Sequence, residues 1–205
     1  MWGFATFAVQ FFLMQQVLSA ITQVIRGRRS VFPREYTSEP ISRSILDDII
    51  ENANYAPTHR LTEPWRFVVF ESAEARTALG TYLAEEYKRR TPPERYTEET
   101  YIKTQRNPEL AACVMAICMQ RDLLERIPEW EELASTAMSV QNMWLTAHAH
   151  GVGAYWSSPK SMLEANVFLN LKEGEQCLGL FFLGHHASEP KQAKRTPMTD
   201  KVTWR

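Results

Sequence analysis

The residues best suited to chemistry fall into a few short groups. Arg28, Arg29 and Ser30 directly follow a helix-forming stretch. Two guanidinium groups, a hydroxyl and nearby backbone N–H groups can hold a phosphate through charge-assisted hydrogen bonds in fixed geometry. A solvated basic helix end is the competing reading, because cations also complement the C-terminal end of a helix dipole. Further on, Tyr55 leads into the turn Ala56-Pro57-Thr58-His59, which Glu63-Pro64-Trp65-Arg66-Phe67 follows. His59 is suited either to a ligand oxygen or to local backbone. Near the other end, Gly151-Val152-Gly153-Ala154-Tyr155-Trp156-Ser157-Ser158 places two glycines before a tryptophan. Glycines there let backbone approach a ligand closely, whereas a lone strand tryptophan is more often core. The pairs His148/His150 and His185/His186 lack the carboxylates or cysteines that would complete a ligand set, so no metal is assigned. No G-x-G-x-x-G fingerprint, P-loop or G-x-S-x-G elbow occurs, which removes the common dinucleotide-domain, NTPase and hydrolase readings.

The elements that must position these residues read as α+β. Val17, Leu18, Ile21, Val24 and Ile25 recur at helical spacing. Ser42 is placed to cap a second helix whose apolar face is Ile45, Leu46, Ile49, Ile50 and Ala53, ending near Tyr55 ahead of Pro57. Four β-prone runs, 66–70, 111–119, 153–156 and 178–183, predict the sheet. Between the first two, 73–90 reads as helix, and the charged, proline-bearing segment 91–108 as a mobile excursion and candidate lid. The segment 131–150 predicts the longest helix. Ala134, Met138, Gln141, Leu145 and His148 line one face, with Ala137, Val140, Trp144 and Ala147 on another; two such faces imply burial.

Composition narrows the partners. The 205 residues carry 23 Lys and Arg against 24 Asp and Glu, interleaved through most of the chain, so the basic stripe of a nucleic-acid binder is missing. Cys113, Cys118 and Cys177 show no C-x-x-C spacing, which points to a reducing, cytoplasmic setting and to buried thiols without a catalytic role. Nothing from Met1 to Ile25 is charged, and Trp2, Phe4, Phe7, Phe11 and Phe12 crowd its first half. That stretch lacks the basic region of a signal peptide, and Gln10, Gln15, Gln16 and Gln23 interrupt it as a membrane span. The reading favoured is an apolar extension over residues 1–14, from an upstream start or packed on a partner subunit, before one domain over 15–205.

Taken in order, helix, R-R-S, amphipathic helix, A-P-x-H, P-W-R-F and strand resemble the N-terminal half of nitroreductases, especially their small single-domain branch. Gly151–Ser158 is similar to the family's glycine-bearing strand beside the flavin, and Leu183-Gly184 with Lys194-Arg195-Thr196-Pro197 to its closing segment. The resemblance implies a central, mostly antiparallel sheet flanked by helices in an intertwined homodimer. It implies FMN, with Arg28, Arg29, Ser30 and Arg195 toward the phosphate and Trp156, Ser157 and Ser158 at the ring. Tyr55 and His59 would reach the flavin bound mainly by the neighbouring subunit. Two departures concern the redox edge: Phe32 stands where many members carry a basic residue, with Arg34 as a substitute, and Glu63 stands where an amide is frequent.

The implied activity passes a hydride from NAD(P)H, a transient donor, through FMN to a nitroaromatic, quinone or similar small conjugated acceptor beneath the 91–108 segment. No side chain is assigned as catalytic acid or base, because the cofactor carries the reaction. Two alternatives stand beside it: other flavin chemistry on the same fold, such as reductive dehalogenation or flavin degradation, and a noncatalytic or membrane-attached interaction protein.

Overall fold

The computed structural model describes residues 2–189 and 193–205, and of residues 2–9, 11 and 12 it describes no side chain. The chain divides into two compact units, residues 30–187 and residues 1–29 with 188–205.

In the unit of residues 30–187, the elements run α2 (Arg43–Ala53), β1 (Trp65–Phe70), α3 (Ala73–Arg90), α4 (Glu98–Leu110), β2 (Cys113–Gln120), α5 (Glu129–Ala149), β3 (Val152–Ser157), the short α6 (Lys160–Leu163) and β4 (Glu175–His185). The four strands pair antiparallel in the order β1-β2-β4-β3. Side chains alternate across a strand, so β2 and β4 feed a core on each face. Met115, Ile117, Phe181 and Leu183 pack with α2 and α5 on one face, whereas Val114, Ala116, Leu180 and Phe182 pack with residues of α3 and α6 on the other. This is the α+β arrangement expected. All four expected strands form; β1, β3 and β4 extend beyond the expected bounds, whereas β2 starts two residues later, at Cys113, and ends one later, at Gln120.

Helix starts follow their caps. Ser42 Oγ accepts from the Ile45 N–H at 3.4 Å, and Ser72 Oγ from the Ala75 N–H at 3.1 Å, which starts α3 where the sequence placed it. The segment 91–108 is a correction: most of it is the ordered helix α4. Thr97 Oγ1 accepts from the Thr100 N–H at 3.2 Å, and Glu98 and Glu99 face the positive end of the dipole. Pro108 is accommodated in the last turn. Tyr101 anchors α4 to α3 by donating to Glu85 Oε1 at 2.6 Å, and Tyr96 stacks on Tyr87 with centroids 5.7 Å apart.

α5 also differs from the expected pattern in what it buries. Its buried side is Glu132, Ser135, Thr136, Ser139, Val140, Met143 and Ala147, while Met138 and Gln141 of an expected apolar face are exposed. Small polar residues line the burial because Thr136 and Ser139 donate to carbonyls of their own helix, Glu132 O and Thr136 O.

In the other unit, α1 (Trp2–Gly27) spans 26 residues against 21 for α5, so α5 is not the longest helix. α1 runs unbroken through Met14, and Leu13, Met14, Val17, Leu18, Ile21 and Ile25 are exposed along it. The side chains of Trp2, Phe4, Phe7, Phe11 and Phe12 lie outside the described residues. Among the described residues no helix is long and apolar enough to cross a membrane.

α3 and α4 meet at Gly80, where an added Cβ would lie 2.1 Å from the backbone oxygen of Gln105. Backbone cannot swing aside like a side chain, so Gly80→Ala is expected to cost about 1–3 kcal/mol. Calorimetry should show the melting temperature lowered by about 2–4 °C per kcal/mol; an unchanged melting temperature would show that the two helices are not so closely joined.

Candidate functional site

Within residues 30–187 the candidate groups gather at the outer edge of β3. Ser30 forms a parallel bridge with Ala154, and the Val31 N–H donates to the Ala154 carbonyl at 3.0 Å. Tyr36 secures this segment: its hydroxyl lies 2.8 Å from the Val31 carbonyl and 3.1 Å from the Phe182 carbonyl on β4. Burial pushes the Tyr36 phenol well above its ordinary range, so it stays a neutral donor. Successive residues of a strand turn their N–H and C=O groups to opposite sides. Since Ala154 directs its carbonyl outward to Val31, the backbone N–H of Trp156, two residues on, also faces out from the edge. Ser30 and the Trp156 N–H therefore lie along one line of backbone.

The Trp156 indole donates to the Leu178 carbonyl at 3.2 Å and packs partly against the core below α5. With Trp144, Leu133, Leu163, Leu178 and Ser158 it lines a hollow of about 560 Å³. Ser157 lines another, of about 340 Å³, with Pro159, Lys160, Phe182 and residues of α3 and α4 that include Asn107. The strand end thus offers apolar walls and outward backbone. The glycines act differently from the expectation. Gly151, at φ 72°, closes the turn after α5, and a Cβ on Gly153 would meet Val31 and His186 at 2.9 and 2.8 Å, so its bareness admits the chain itself.

Tyr55 and His59 stand apart from that edge in their contacts. Tyr55 is 74% exposed, and His59 Nδ1 lies 2.5 Å from Glu131 Oε2 at the start of α5. The turn carrying His59 is unusual: Arg60, Leu61 and Glu63 have φ of 52°, 54° and 42°, a region that side-chain-bearing residues seldom adopt. Thr58 Oγ1 holds it by accepting from the Glu63 N–H at 3.1 Å. The Glu63 side chain is exposed. Phe32 leans on Tyr155 with centroids 4.6 Å apart, and the Arg34 guanidinium carbon lies 5.5 Å from the Phe32 ring centre. A cation is thus brought to Phe32, although the basic residue itself is displaced two positions along the chain.

In the unit of residues 1–29 and 188–205, three guanidinium groups gather. Burial lowers the pKa of Arg28 first, and the charges of Arg195 and then Arg29 lower it further. An anion would relieve that repulsion. Arg29 also caps α1, donating to the carbonyls of Arg26 and Arg28 at 2.7 and 2.6 Å, and Arg195 donates to the Lys194 carbonyl at 2.9 Å. The basic helix end and the anion cradle are therefore compatible roles.

One network escaped sequence reasoning. Glu132, fully buried, pairs with Arg121 and accepts from the Asp122 N–H at 2.8 Å, while Arg121 also donates to the Ile127 carbonyl. It fastens the loop after β2 to the first turn of α5, beside the Glu131 that meets His59. In the sequence Glu132 is one of several acidic residues in a first turn, and nothing marks it as buried. Cys113, Cys118 and Cys177 are free and buried, and burial pushes the Cys113 thiol up to about 12. Among the described residues no group of three metal-ligating side chains is gathered.

Comparison with known proteins decides the family. The model of the nitroreductase family matches residues 25–185. The chain belongs to the nitroreductase family. It is 30% identical to YfhC of Bacillus subtilis (strain 168), provisionally named an NAD(P)H nitroreductase, over 90% of this chain and 94% of that protein. Among solved structures, a nitroreductase-like protein from Bacillus cereus aligns at a TM-score of 0.74 with 25% identity, covering 90% of this chain and 95% of the other. A provisionally named nitroreductase from Desulfovibrio desulfuricans, crystallised with FMN, aligns at 0.68 with 24% identity, covering 90% and 96%.

In this nitroreductase the Tyr36 hydroxyl ties the Ser30 segment to the sheet. Tyr36→Phe leaves the Val31 and Phe182 carbonyls one donor short, so stability in denaturant should fall by about 1–3 kcal/mol. Hydrogen exchange at the Val31 N–H should quicken; protection equal to that of the original protein would show that Tyr36 does not hold the segment.

Proposed function

We propose that this nitroreductase is an FMN-dependent oxidoreductase that uses NAD(P)H to reduce a nitroaromatic, quinone or similar conjugated small molecule. The observation that carries the reading is the gathering of Arg28, Arg29 and Arg195, whose mutual repulsion a phosphate dianion would relieve. When bound, FMN supplies the redox chemistry, accepting a hydride from NAD(P)H and passing electrons to the acceptor. The protein's residues bind and orient. Arg28, Arg29 and Arg195 hold the phosphate, with the Ser30 hydroxyl next along the chain. The outward N–H of Trp156 donates to the ring edge, while the Trp156 side chain, Ser157 and Ser158 wall the ring and exclude water. Tyr55 and His59 serve a second subunit's cofactor, in keeping with their exposure and their contacts away from the β3 edge. The homodimer this requires is favoured by Trp130, Leu133 and Met138 of α5, 66%, 44% and 39% exposed. Three free buried cysteines favour a cytoplasmic setting.

The visible absorbance of the purified protein, followed anaerobically on adding NADPH or NADH, tests the reading. A flavin spectrum that bleaches is expected; a protein that takes up no FMN from excess would contradict it. Arg28→Ala is expected to weaken FMN binding tenfold or more, since a charge-assisted hydrogen bond contributes about 1.5–3 kcal/mol. Unchanged affinity by fluorescence titration would remove Arg28 from the phosphate.

A further inference from the structure

α4 presents an exposed face that the flavin reading does not use. Glu99, Ile102, Lys103, Arg106 and Leu110 recur at helical spacing, and with Asn107 and Arg34 they line an open cleft of about 630 Å³. Arg34, Lys103 and Arg106 form no hydrogen bond or ion pair among the described residues, whereas Arg43, Arg89, Arg90, Arg121 and Arg126 are each paired with a carboxylate. Three cations and one carboxylate, Glu99, line the cleft, so positive charge is in excess there and an anion would lessen it. The floor is apolar, with Ile102 44% and Leu110 40% exposed. The volume far exceeds a single phosphate and suits a nucleoside. Asn107 lines both this cleft and the hollow at Ser157, so the two adjoin along α4.

We propose that this cleft binds the adenosine 2′-phosphate end of NADPH and sets a preference for NADPH over NADH. Lys103 and Arg106 grip the 2′-phosphate, which NADH lacks. The purine lies on the apolar floor at Leu110, with the Arg34 guanidinium, whose carbon is 5.5 Å from the Phe32 ring centre, at its side. Glu99 stands one helical turn before Lys103, so the cleft keeps an excess of cations for the phosphate. The donor role rests on the flavin reading, but occupancy of the cleft can be measured without turnover.

Calorimetry on the FMN-loaded protein with adenosine 2′,5′-bisphosphate and with 5′-AMP tests the proposal. The bisphosphate is expected to bind at least tenfold more tightly, and the double variant Lys103→Ala/Arg106→Ala to erase the difference. Arg34→Ala should weaken both ligands. Equal binding of the two nucleotides, or a bisphosphate advantage that survives the double variant, would overturn the assignment. The 5′-phosphate is common to both probes, so the comparison isolates the 2′ group. Flavin absorbance of the same samples reports separately on the flavin reading: bound flavin with no bisphosphate preference refutes only the cleft, and bisphosphate discrimination in protein that holds no flavin refutes only the cofactor.

Discussion

The pairing of β2 with β4 governs the unit of residues 30–187, because it can form only if both its faces are covered at once. Side chains such as Met115, Ile117, Phe181 and Leu183 on one face, and Val114, Leu180 and Phe182 on the other, are buried almost completely. Each large apolar side chain so placed is worth about 1.5–3 kcal/mol relative to exposure. That demand draws α2 and α5 to one side and α3 and α6 to the other, and it leaves β3 at an edge. An edge strand keeps one row of backbone groups unpaired within the sheet. Ser30 and Val31 take part of that row, and the Trp156 N–H beyond them faces out from the edge.

A second constraint is electrostatic. The protein gathers cations at two locations, the end of α1 with Arg195 and α4 with Arg34. Arg89 and Arg90, by contrast, pair with Glu86, which they hold at about 2. Like charge gathered in this way favours an anionic ligand, and both a flavin phosphate and a nucleotide phosphate meet the condition. The two clusters belong to different units of the chain.

Much of the fold was legible because its signals are local. The strands announced themselves as short apolar runs, and α2 began at the serine cap read for it. α4 was hidden because its charges and Pro108 resemble loop composition; the Thr97-Glu98-Glu99 start, a cap followed by two acids, was the available signal. The buried side of α5 was misjudged because serine and threonine can be buried once their hydroxyls bond to the preceding turn, which hydropathy does not register. At the site, R-R-S and the glycine-bearing strand were readable as motifs. The approach of Arg195 to Arg28, the Tyr36 tie and the buried Glu132 with Arg121 depend on residues distant in sequence, and no local pattern encodes them.

Arg28, Arg29 and Arg195 together are proposed to hold a phosphate. Equilibrium titration of the flavin-free protein with FMN and with riboflavin, which differ by that phosphate alone, tests it directly. Two charge-assisted contacts of about 1.5–3 kcal/mol each predict that riboflavin binds about a hundredfold or more weakly than FMN. Equal affinity for the two flavins would contradict the account, and the cluster would then be no more than a basic helix end.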